Sequence, residues 1–305
     1  MLKIFGKLRS FLSQSFWTSL ALLIFVVNTI FCFLCVFLCA LLKALVPIKG
    51  FKDFLSGILV MIADFWIAVN NFNMSFTQGI VWEIQGLEKI KKNDWYFVFA
   101  NHQSAFDILA LQKVFQKKIP FLKFFIKKEL LWLPILGQCW WALDFPFMKR
   151  KKKGSKKSQD FNTIRRTCAK LNEKPSTIIS FLEGTRFSQQ KHQTQMSKFN
   201  SLLRPKAGGF GLVMETMGQK LNKLIDVTIY YPEGAQSILA LFCGKIKRVV
   251  INIKYIEMTP ELIGKYEIDP EYRKQLQSFL NKLWSEKDSL LSELKKNSFE
   301  YHKIR

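Results

Sequence analysis

The stretch FVFANHQSAFDILA, residues 97–110, passes from an apolar run through a short polar segment into a helical pattern. The run that leads into it, DWYFVFA (94–100), is aromatic and β-branched, which is typical of a buried strand. The segment that follows, SAFDILALQKVFQ, predicts a helix. This order places His102 at the carboxyl end of a strand, where open α/β sheets build ligand sites.

Further strands and helices alternate along the chain, which predicts an α/β domain over roughly residues 80–260, with a central mixed sheet flanked by helices. The other predicted strands are STIISFLE (176–183), IDVTIYY (225–231) and RVVINIKYIEM (248–258). The helical patterns between them are DFNTIRRTCAKLN (160–172) and GFGLVMETMG (209–218). Residues 271–297 are amphipathic and predict a final surface helix. We therefore expect three parts: 1–75, 76–265 and 266–305.

The amino-terminal part has the composition of a membrane segment. No charged residue occurs from Ser10 to Leu42, a run of 33 residues, whereas a bilayer requires roughly 20 helical residues. Basic residues flank the run on both sides, which allows either a single span or a re-entrant hairpin that breaks near Asn28–Thr29. A buried core helix is a third interpretation. Residues 51–71 predict an amphipathic helix at the membrane interface.

His102 and Asp107 are the first candidate functional residues. Asp107 lies five positions after His102, in the first turns of the predicted helix, and can bond one imidazole nitrogen while the other acts as a general base. Asn101 or Ser104 is expected to cap that helix. The alternative is a capping histidine beside an unrelated aspartate, and the spacing alone does not separate the two.

A second polar cluster follows the strand at 176–183, in the stretch FLEGTRFS (181–188). Gly184 lets the backbone approach a ligand, Thr185 adds a hydroxyl, and Arg186 offers a bidentate fork for phosphate. Glu183 is expected to pair with Arg186 or to bind a ligand hydroxyl. A strand-end salt bridge is the alternative, but the two clusters together describe a base and a phosphate clamp.

The motifs NHQSAFD and, about 75 residues later, FLEGTR resemble the glycerolipid acyltransferase family that includes the 1-acylglycerol-3-phosphate acyltransferases. Its first motif is N-H-x4-D and its third is F-x-E-G-T-R, and both match without gaps. The resemblance covers about residues 75–235, and its wording is similar to a bacterial membrane-bound subgroup. Three other stretches fit the family's remaining blocks: KKELLWLPILGQCWWALDFPFMKR (127–150), LLRPKAGGFG (202–211) and VTIYYPEG (227–234).

This resemblance implies acyl transfer from acyl-CoA or acyl carrier protein to the sn-2 hydroxyl of a lysophosphatidate, giving phosphatidic acid. His102 would take the hydroxyl proton, and Asp107 would orient His102. No metal or cofactor other than the acyl carrier is implied. The implied substrate-binding residues are Glu183, Gly184, Thr185, Arg186, Lys206 and either Lys149 or Arg150. Lys206 would bind the thioester carbonyl or a phosphate.

The chain is strongly basic, with a formal charge of +23 and seven basic residues in KRKKKGSKK (149–157). Such a run is a solvated loop, a contact for anionic membrane or a nucleic-acid site, and we expect the membrane surface and no nucleic acid. We also expect the inner (cytoplasmic) membrane, with the α/β domain facing the cytoplasm. His192 and His302 are expected to be solvated. Three alternatives stay open: an acyltransferase for another lysophospholipid such as lysophosphatidylglycerol or lysocardiolipin, a hydrolase, and a non-catalytic binding protein.

Overall fold

A computed structural model describes residues 12–87, 90–148, 165, 168–169, 171, 174–234 and 237–303. The helices are α1 (Gln14–Leu45), α2 (Lys49–Asn73), α3 (Asp107–Phe115), α4 (Leu136–Ala142), α5 (Gln189–Thr194), α6 (Ala207–Met217), α7 (Ile238–Phe242) and α8 (Pro270–Lys303). The strands are β1 (Val81–Gln85), β2 (Tyr96–Ala100), β3 (Leu122–Phe124), β4 (Ile126–Lys127), β5 (Phe147–Met148), β6 (Thr177–Phe181), β7 (Lys223–Tyr230) and β8 (Arg248–Glu257). Most of the predicted helix at 160–172 lies outside the described residues.

The first two helices form an antiparallel hairpin, but its turn is not where the sequence placed it. Helix α1 continues through Asn28 and Thr29, and the chain reverses at residues 46–48, around Pro47. The predicted break near Asn28–Thr29 was therefore wrong. The Asn28 amide donates to the Trp66 carbonyl at 3.1 Å, and the Thr29 hydroxyl accepts from the Trp66 indole at 3.1 Å, so both polar side chains bind α2 without interrupting α1.

Helix α2 was expected to lie at the membrane interface, and the structure packs it lengthwise on α1. The segments Gln14–Leu45 and Lys49–Gln78 are both long and apolar enough to cross a bilayer. Large apolar side chains on the outer side of α1, such as Leu23, Phe31 and Leu34, are exposed. Lipid chains would cover an exposed apolar surface of this extent, so it indicates a membrane protein.

The strand order β1-β8-β7-β2-β6-β3 gives a mixed sheet, because β7 and β8 are antiparallel and the other pairs are parallel. One face of the sheet packs on α3 and the hairpin, and the other packs on α6 and α8. The predicted mixed sheet with flanking helices is confirmed. The division into parts at 1–75, 76–265 and 266–305 stays a prediction.

The register of the central strands decides where the polar loops meet. Ala100, the last residue of β2, is level with Phe181 at the end of β6 and with Val227 in β7. Because these strands are parallel, the loops that follow β2 and β6 leave the same edge of the sheet. The two polar clusters of the sequence are therefore neighbours.

Candidate active site

Asn101 attaches the loop after β2 to the neighbouring strand β7. Its amide donates to the Ile229 carbonyl at 2.9 Å, and its amide oxygen accepts from the Ile229 N–H at 2.8 Å. The N-cap of α3 is Phe106, without a side-chain capping bond, so the expectation that Asn101 or Ser104 caps this helix was wrong. The Ser104 hydroxyl accepts from the Phe106 N–H at 3.1 Å, just before the helix begins.

The structure brings His102 and Asp107 into direct contact, with 2.8 Å between His102 Nδ1 and Asp107 Oδ2. The buried Asp107 carboxylate also accepts the backbone N–H groups of Gln103 at 2.7 Å and Ser104 at 2.9 Å. An ionised carboxylate can only accept hydrogen bonds, so His102 Nδ1 must carry the proton in this contact. His102 Nε2 then keeps its lone pair, which is the arrangement that a general base requires.

Tyr231 completes the environment of Asp107, and the sequence gave no role to it. Its hydroxyl donates to Asp107 Oδ1 at 2.6 Å. Burial, followed by the neighbouring Asp107 charge, raises the pKa of Tyr231 well above its ordinary value, so the phenol keeps the proton it donates. The only sequence signal was its place in VTIYYPEG, one residue beyond the end of β7.

Two further contacts fix His102, one through a face of its ring and one through its backbone carbonyl. The His102 ring stacks on Phe181, with 3.9 Å between ring centroids and 11° between planes. The His102 carbonyl accepts the Phe187 N–H at 2.7 Å, which joins the first polar loop to the second. With 16% of its side chain exposed, His102 is accessible from one side while its position is fixed.

Glu183 is fully buried beneath the two loops. Its carboxylate oxygens accept the N–H groups of His102 and Leu203, both at 3.0 Å. Burial raises the pKa of Glu183 to about 7, and these two bonds, with the charge of Lys287, act in the opposite direction. The expected pairing with Arg186 or a ligand hydroxyl is not what the structure shows, because both oxygens face backbone N–H groups inside the protein.

The rest of the second loop presents positive charge to solvent. Gly184 has a φ of +70°, a backbone conformation that favours glycine, and a Cβ atom there would lie 3.2 Å from Lys206 Nζ. Arg186 and Lys206 are exposed. Lys191, which the sequence analysis missed, donates to the Thr185 hydroxyl and the Arg186 carbonyl, each at 2.9 Å.

Some of the residues expected at the site or at the surface lie outside the described residues, and one is placed differently from the expectation. Lys149, Arg150 and the rest of the basic run at 149–157 lie outside the described residues, as does the His302 side chain. The expectation that His192 is solvated was wrong, since it is half-buried and its Nε2 lies 2.6 Å from the Phe199 carbonyl oxygen. Among the residues that the structure describes, no three His, Cys, Asp or Glu side chains come together in a way that could hold a metal ion.

A cavity of about 330 Å³ lies beside the first loop. Gln103, Phe187 and Tyr231 form the side nearest to the His102–Asp107 pair, and Leu291 and Lys295 of α8 form part of the opposite side. Neither His102 nor Asp107 lines the cavity, and Gln103 and Tyr231 connect it to the pair.

Residues 81–232, which contain both loops, match the sequence model of the Acyltransferase family. This chain belongs to the acyltransferase family. The chain is 24% identical over 252 residues to 1-acyl-sn-glycerol-3-phosphate acyltransferase delta of Bos taurus, covering 78% of this chain and 61% of the relative. It is 24% identical over 247 residues to the gamma form of Homo sapiens, covering 76% and 60%. The delta form of Mus musculus is 26% identical over 182 residues, covering 56% and 45%.

The chain thus spans about half to three fifths of the length of these curated relatives. Among solved structures, it is similar to the 1-acyl-sn-glycerophosphate (LPA) acyltransferase PlsC of Thermotoga maritima, with a TM-score of 0.51 and 16% identity, covering 96% of this chain and 99% of that one. At this identity the likeness shows the fold alone. The family inferred from the two motifs is confirmed, whereas the bacterial subgroup stays a prediction.

Proposed function

We propose that this acyltransferase moves an acyl group from acyl-CoA or acyl carrier protein to the sn-2 hydroxyl of 1-acylglycerol-3-phosphate, giving phosphatidic acid. The observation that carries the proposal is the His102–Asp107 pair, in which Nδ1 is bound to a buried carboxylate and Nε2 keeps its lone pair. The acceptor is proposed from the names of the curated relatives, which are 1-acyl-sn-glycerol-3-phosphate acyltransferases.

In the proposed reaction, His102 Nε2 removes the proton of the sn-2 hydroxyl as its oxygen attacks the thioester carbonyl carbon. The tetrahedral intermediate breaks its carbon–sulfur bond, and the leaving thiolate takes the proton from the imidazolium. The products are the new ester and the free thiol, and His102 returns to its neutral form. Asp107 stays ionised, fixes the tautomer and stabilises the imidazolium. General-base catalysis of this kind contributes roughly 10²–10⁴ in rate.

The acceptor's phosphate is proposed to bind Arg186, with Arg150 or Lys149 as a further cation. Arg186 is exposed on the loop whose backbone is bonded to His102, so a phosphate there would bring the glycerol hydroxyl towards the base. Lys206, directly before α6, lies close to Gly184, which is on the same loop as Arg186. Lys206 would bind the phosphate or the thioester carbonyl oxygen. Guanidinium groups bind phosphate through two parallel hydrogen bonds, which supports this role for Arg186.

We further propose that the reaction takes place at the cytoplasmic face of the inner membrane. The acceptor and the product are both lipids, and the hairpin of α1 and α2 would hold the α/β domain beside them. The basic run at 149–157 would contact anionic lipid, where each Lys or Arg is worth about 1 kcal/mol. We propose no metal or cofactor for this chemistry, and no nucleic-acid partner.

The test is acyl transfer by the purified protein in detergent, with palmitoyl or oleoyl thioester as donor. Lysophosphatidate, lysophosphatidylglycerol and lysocardiolipin would be offered in competition to wild type, His102→Ala and a control, His302→Ala, in the last turns of α8. We expect transfer to lysophosphatidate that is lost only in His102→Ala. Preference for another acceptor would overturn the substrate assignment. Equal activity in His102→Ala, or no transfer by wild type, would overturn the reaction.

A further inference from the structure

Two adjacent side chains of α8, Lys287 and Asp288, are buried against the site from behind. Lys287 is 2% exposed and Asp288 is 7% exposed. Both lie beyond residue 232, where the match to the family model ends. Charged side chains are almost never this deeply buried unless they are paired, so their partners identify what they hold in place.

Asp288 binds the segment 199–203, which passes behind the second loop. Its carboxylate oxygens accept the N–H of Asn200 at 2.7 Å and the N–H of Ser201 at 2.8 Å. From the same segment, the Leu203 N–H donates to Glu183, and the Ser201 carbonyl accepts from the Gln103 amide at 3.3 Å. The segment held by Asp288 is therefore bonded to the buried carboxylate under His102 and to the residue after His102.

Lys287 binds β7 at the level of the active-site edge. Its ammonium donates to Asp226 Oδ1 at 2.5 Å and to the Val227 carbonyl at 2.6 Å. Val227 is level with Ala100, the residue from which the His102 loop departs. The Lys287 charge also acts on the Glu183 carboxylate. The cost of removing two charges from water offsets much of the attraction within a buried ion pair, so such a pair contributes little net stability. The two hydrogen bonds of Lys287 nevertheless fix the position of β7 relative to α8.

We propose that Lys287 and Asp288 are positioning residues of the acyltransferase site: Asp288 fixes segment 199–203, whose Leu203 N–H is bonded to Glu183, and Lys287 fixes β7 at the level where the His102 loop departs. The catalytic consequence rests on the proposed function. The structural consequence, a fixed segment 199–203, does not depend on which reaction the site performs.

The groups that face Glu183 define how this arrangement responds to pH. They are the N–H groups of His102 and Leu203, the Asp107 carboxylate from α3, and Lys287 from α8, which is itself paired with Asp226. Burial raises the Glu183 pKa to about 7, while Lys287 lowers it. Without Lys287 the pKa would be higher still, and a Glu183 that carries its proton accepts the two N–H groups more weakly than a carboxylate does.

The first experiment compares Asp288→Asn with the control Glu293→Gln, an exposed carboxylate on the same helix. An amide can accept only one of the two N–H groups, so we expect faster amide hydrogen exchange at Asn200 and Ser201 in Asp288→Asn alone. We also expect kcat to fall about tenfold or more, with KM for both substrates within about twofold, because misplaced catalytic groups reduce kcat. Unchanged exchange and unchanged kcat would overturn the role of Asp288.

The second experiment removes the Lys287 charge. The variant is the double substitution Lys287→Met with Asp226→Asn, because the single change would leave the Asp226 carboxylate buried without its partner. Lys282→Met, on the exposed side of α8, is the control. We expect kcat to fall about tenfold or more in the double variant alone, with KM for both substrates within about twofold, because β7 is no longer fixed where the His102 loop departs. Wild-type kcat in the double variant would overturn the role of Lys287.

These outcomes are separable from failure of the proposed reaction. If the wild-type protein transfers no acyl group, the proposed function is wrong, and the exchange rates at residues 200–203 in Asp288→Asn still decide whether α8 fixes the segment. If wild type is active and the exchange rates do not change, the proposed function stands and the positioning role is wrong.

Discussion

The two polar loops at the edge of the sheet differ in how completely the protein uses their hydrogen-bonding groups. In the first loop, Asp107 is buried and accepts from His102, Gln103, Ser104 and Tyr231. In the second loop, Arg186 is exposed, and its guanidinium bonds no residue that the structure describes. The hydrogen bonds of Asp107 in the first loop are formed without any substrate, whereas the Arg186 guanidinium of the second loop is available to bind a ligand.

The physical reason for the difference lies in what each loop is proposed to do. A general base must be held at one position and in one tautomer, and buried hydrogen bonds provide this because no water competes for them. A phosphate has three equivalent oxygens and a large charge, so a solvated cation can attract and bind it without a fixed geometry. We therefore expect changes in the first loop to reduce kcat and changes in the second to raise KM.

The largest effect should come from Asp107→Asn. The amide can donate to His102 Nδ1, which would place the imidazole proton on Nε2 and remove the base. We expect kcat to fall by about 10³–10⁴ with little change in either KM. Steady-state kinetics would measure this, with Asp53→Asn as the exposed control. A loss of less than about tenfold would contradict the assignment of His102 as base.

Arg186→Ala should have the next largest effect, and on the other parameter. Loss of a charge-assisted hydrogen bond of about 1.5–3 kcal/mol should raise KM for lysophosphatidate about 10- to 100-fold while kcat changes little. Arg186→Lys should lie between wild type and Arg186→Ala, since it keeps the charge without the fork. Arg204→Ala is the control, an exposed arginine of a nearby segment. If kcat falls and KM does not, the distinction between the loops fails.

Tyr231→Phe sharpens the comparison within the first loop. It removes the donor to Asp107 Oδ1 and leaves the three donors to Oδ2, so the carboxylate is less firmly fixed but keeps its contact with His102. We expect a loss of about 1 kcal/mol in stability and a fall in kcat of about 5- to 20-fold. Thermal unfolding and steady-state kinetics on Tyr231→Phe and Tyr230→Phe would measure both. Equal kcat in the two variants would remove Tyr231 from the site.

The smallest effect should come from Lys191→Met. Lys191 bonds the Thr185 hydroxyl and the Arg186 carbonyl, so its loss loosens the second loop and removes one charge without changing a catalytic group. We expect KM for the acceptor to rise about two- to fivefold, in the range of an exposed ionic contact. Lys198→Met is the control. A fall in kcat larger than the rise in KM would place Lys191 closer to the chemistry than this structure does.

The sequence predicted the strands that are rich in aromatic and β-branched residues, and missed those that are short or lie at an edge. DWYFVFA and STIISFLE correspond to β2, which is buried throughout, and β6, which is buried over most of its length. Strand β1, VWEIQ, contains Glu83, which binds Arg248 of β8 through two hydrogen bonds at 2.6 and 2.7 Å. Strand β3 has only three residues. Neither pattern is distinguishable from a loop without its partner strand.

In the hairpin, the sequence predicted the helix but not the position of the turn. The apolar run from Ser10 to Leu42 determined that a long helix suited to lipid would form, since its composition is enough for that. The turn depended on α2, because Asn28 and Thr29 interrupt a helix in lipid only if no neighbour satisfies them, and Trp66 does. A polar pair in an apolar run therefore marked a contact between helices.

By itself, the sequence determined the family, the mixed α/β sheet, and the positions of His102, Asp107 and Arg186 in two motifs at strand ends. The sheet and the strand-end positions follow from local patterns, in which strand, loop and helix succeed one another within about 20 residues, and the family follows from the resemblance of the two motifs. Only the tertiary structure decided that Tyr231 donates to Asp107, that the Leu203 N–H donates to Glu183, and that Asp288 accepts from Asn200 and Ser201. Their partners lie tens to hundreds of positions away along the chain, and which buried polar group meets which is set by how the sheet, α6 and α8 pack.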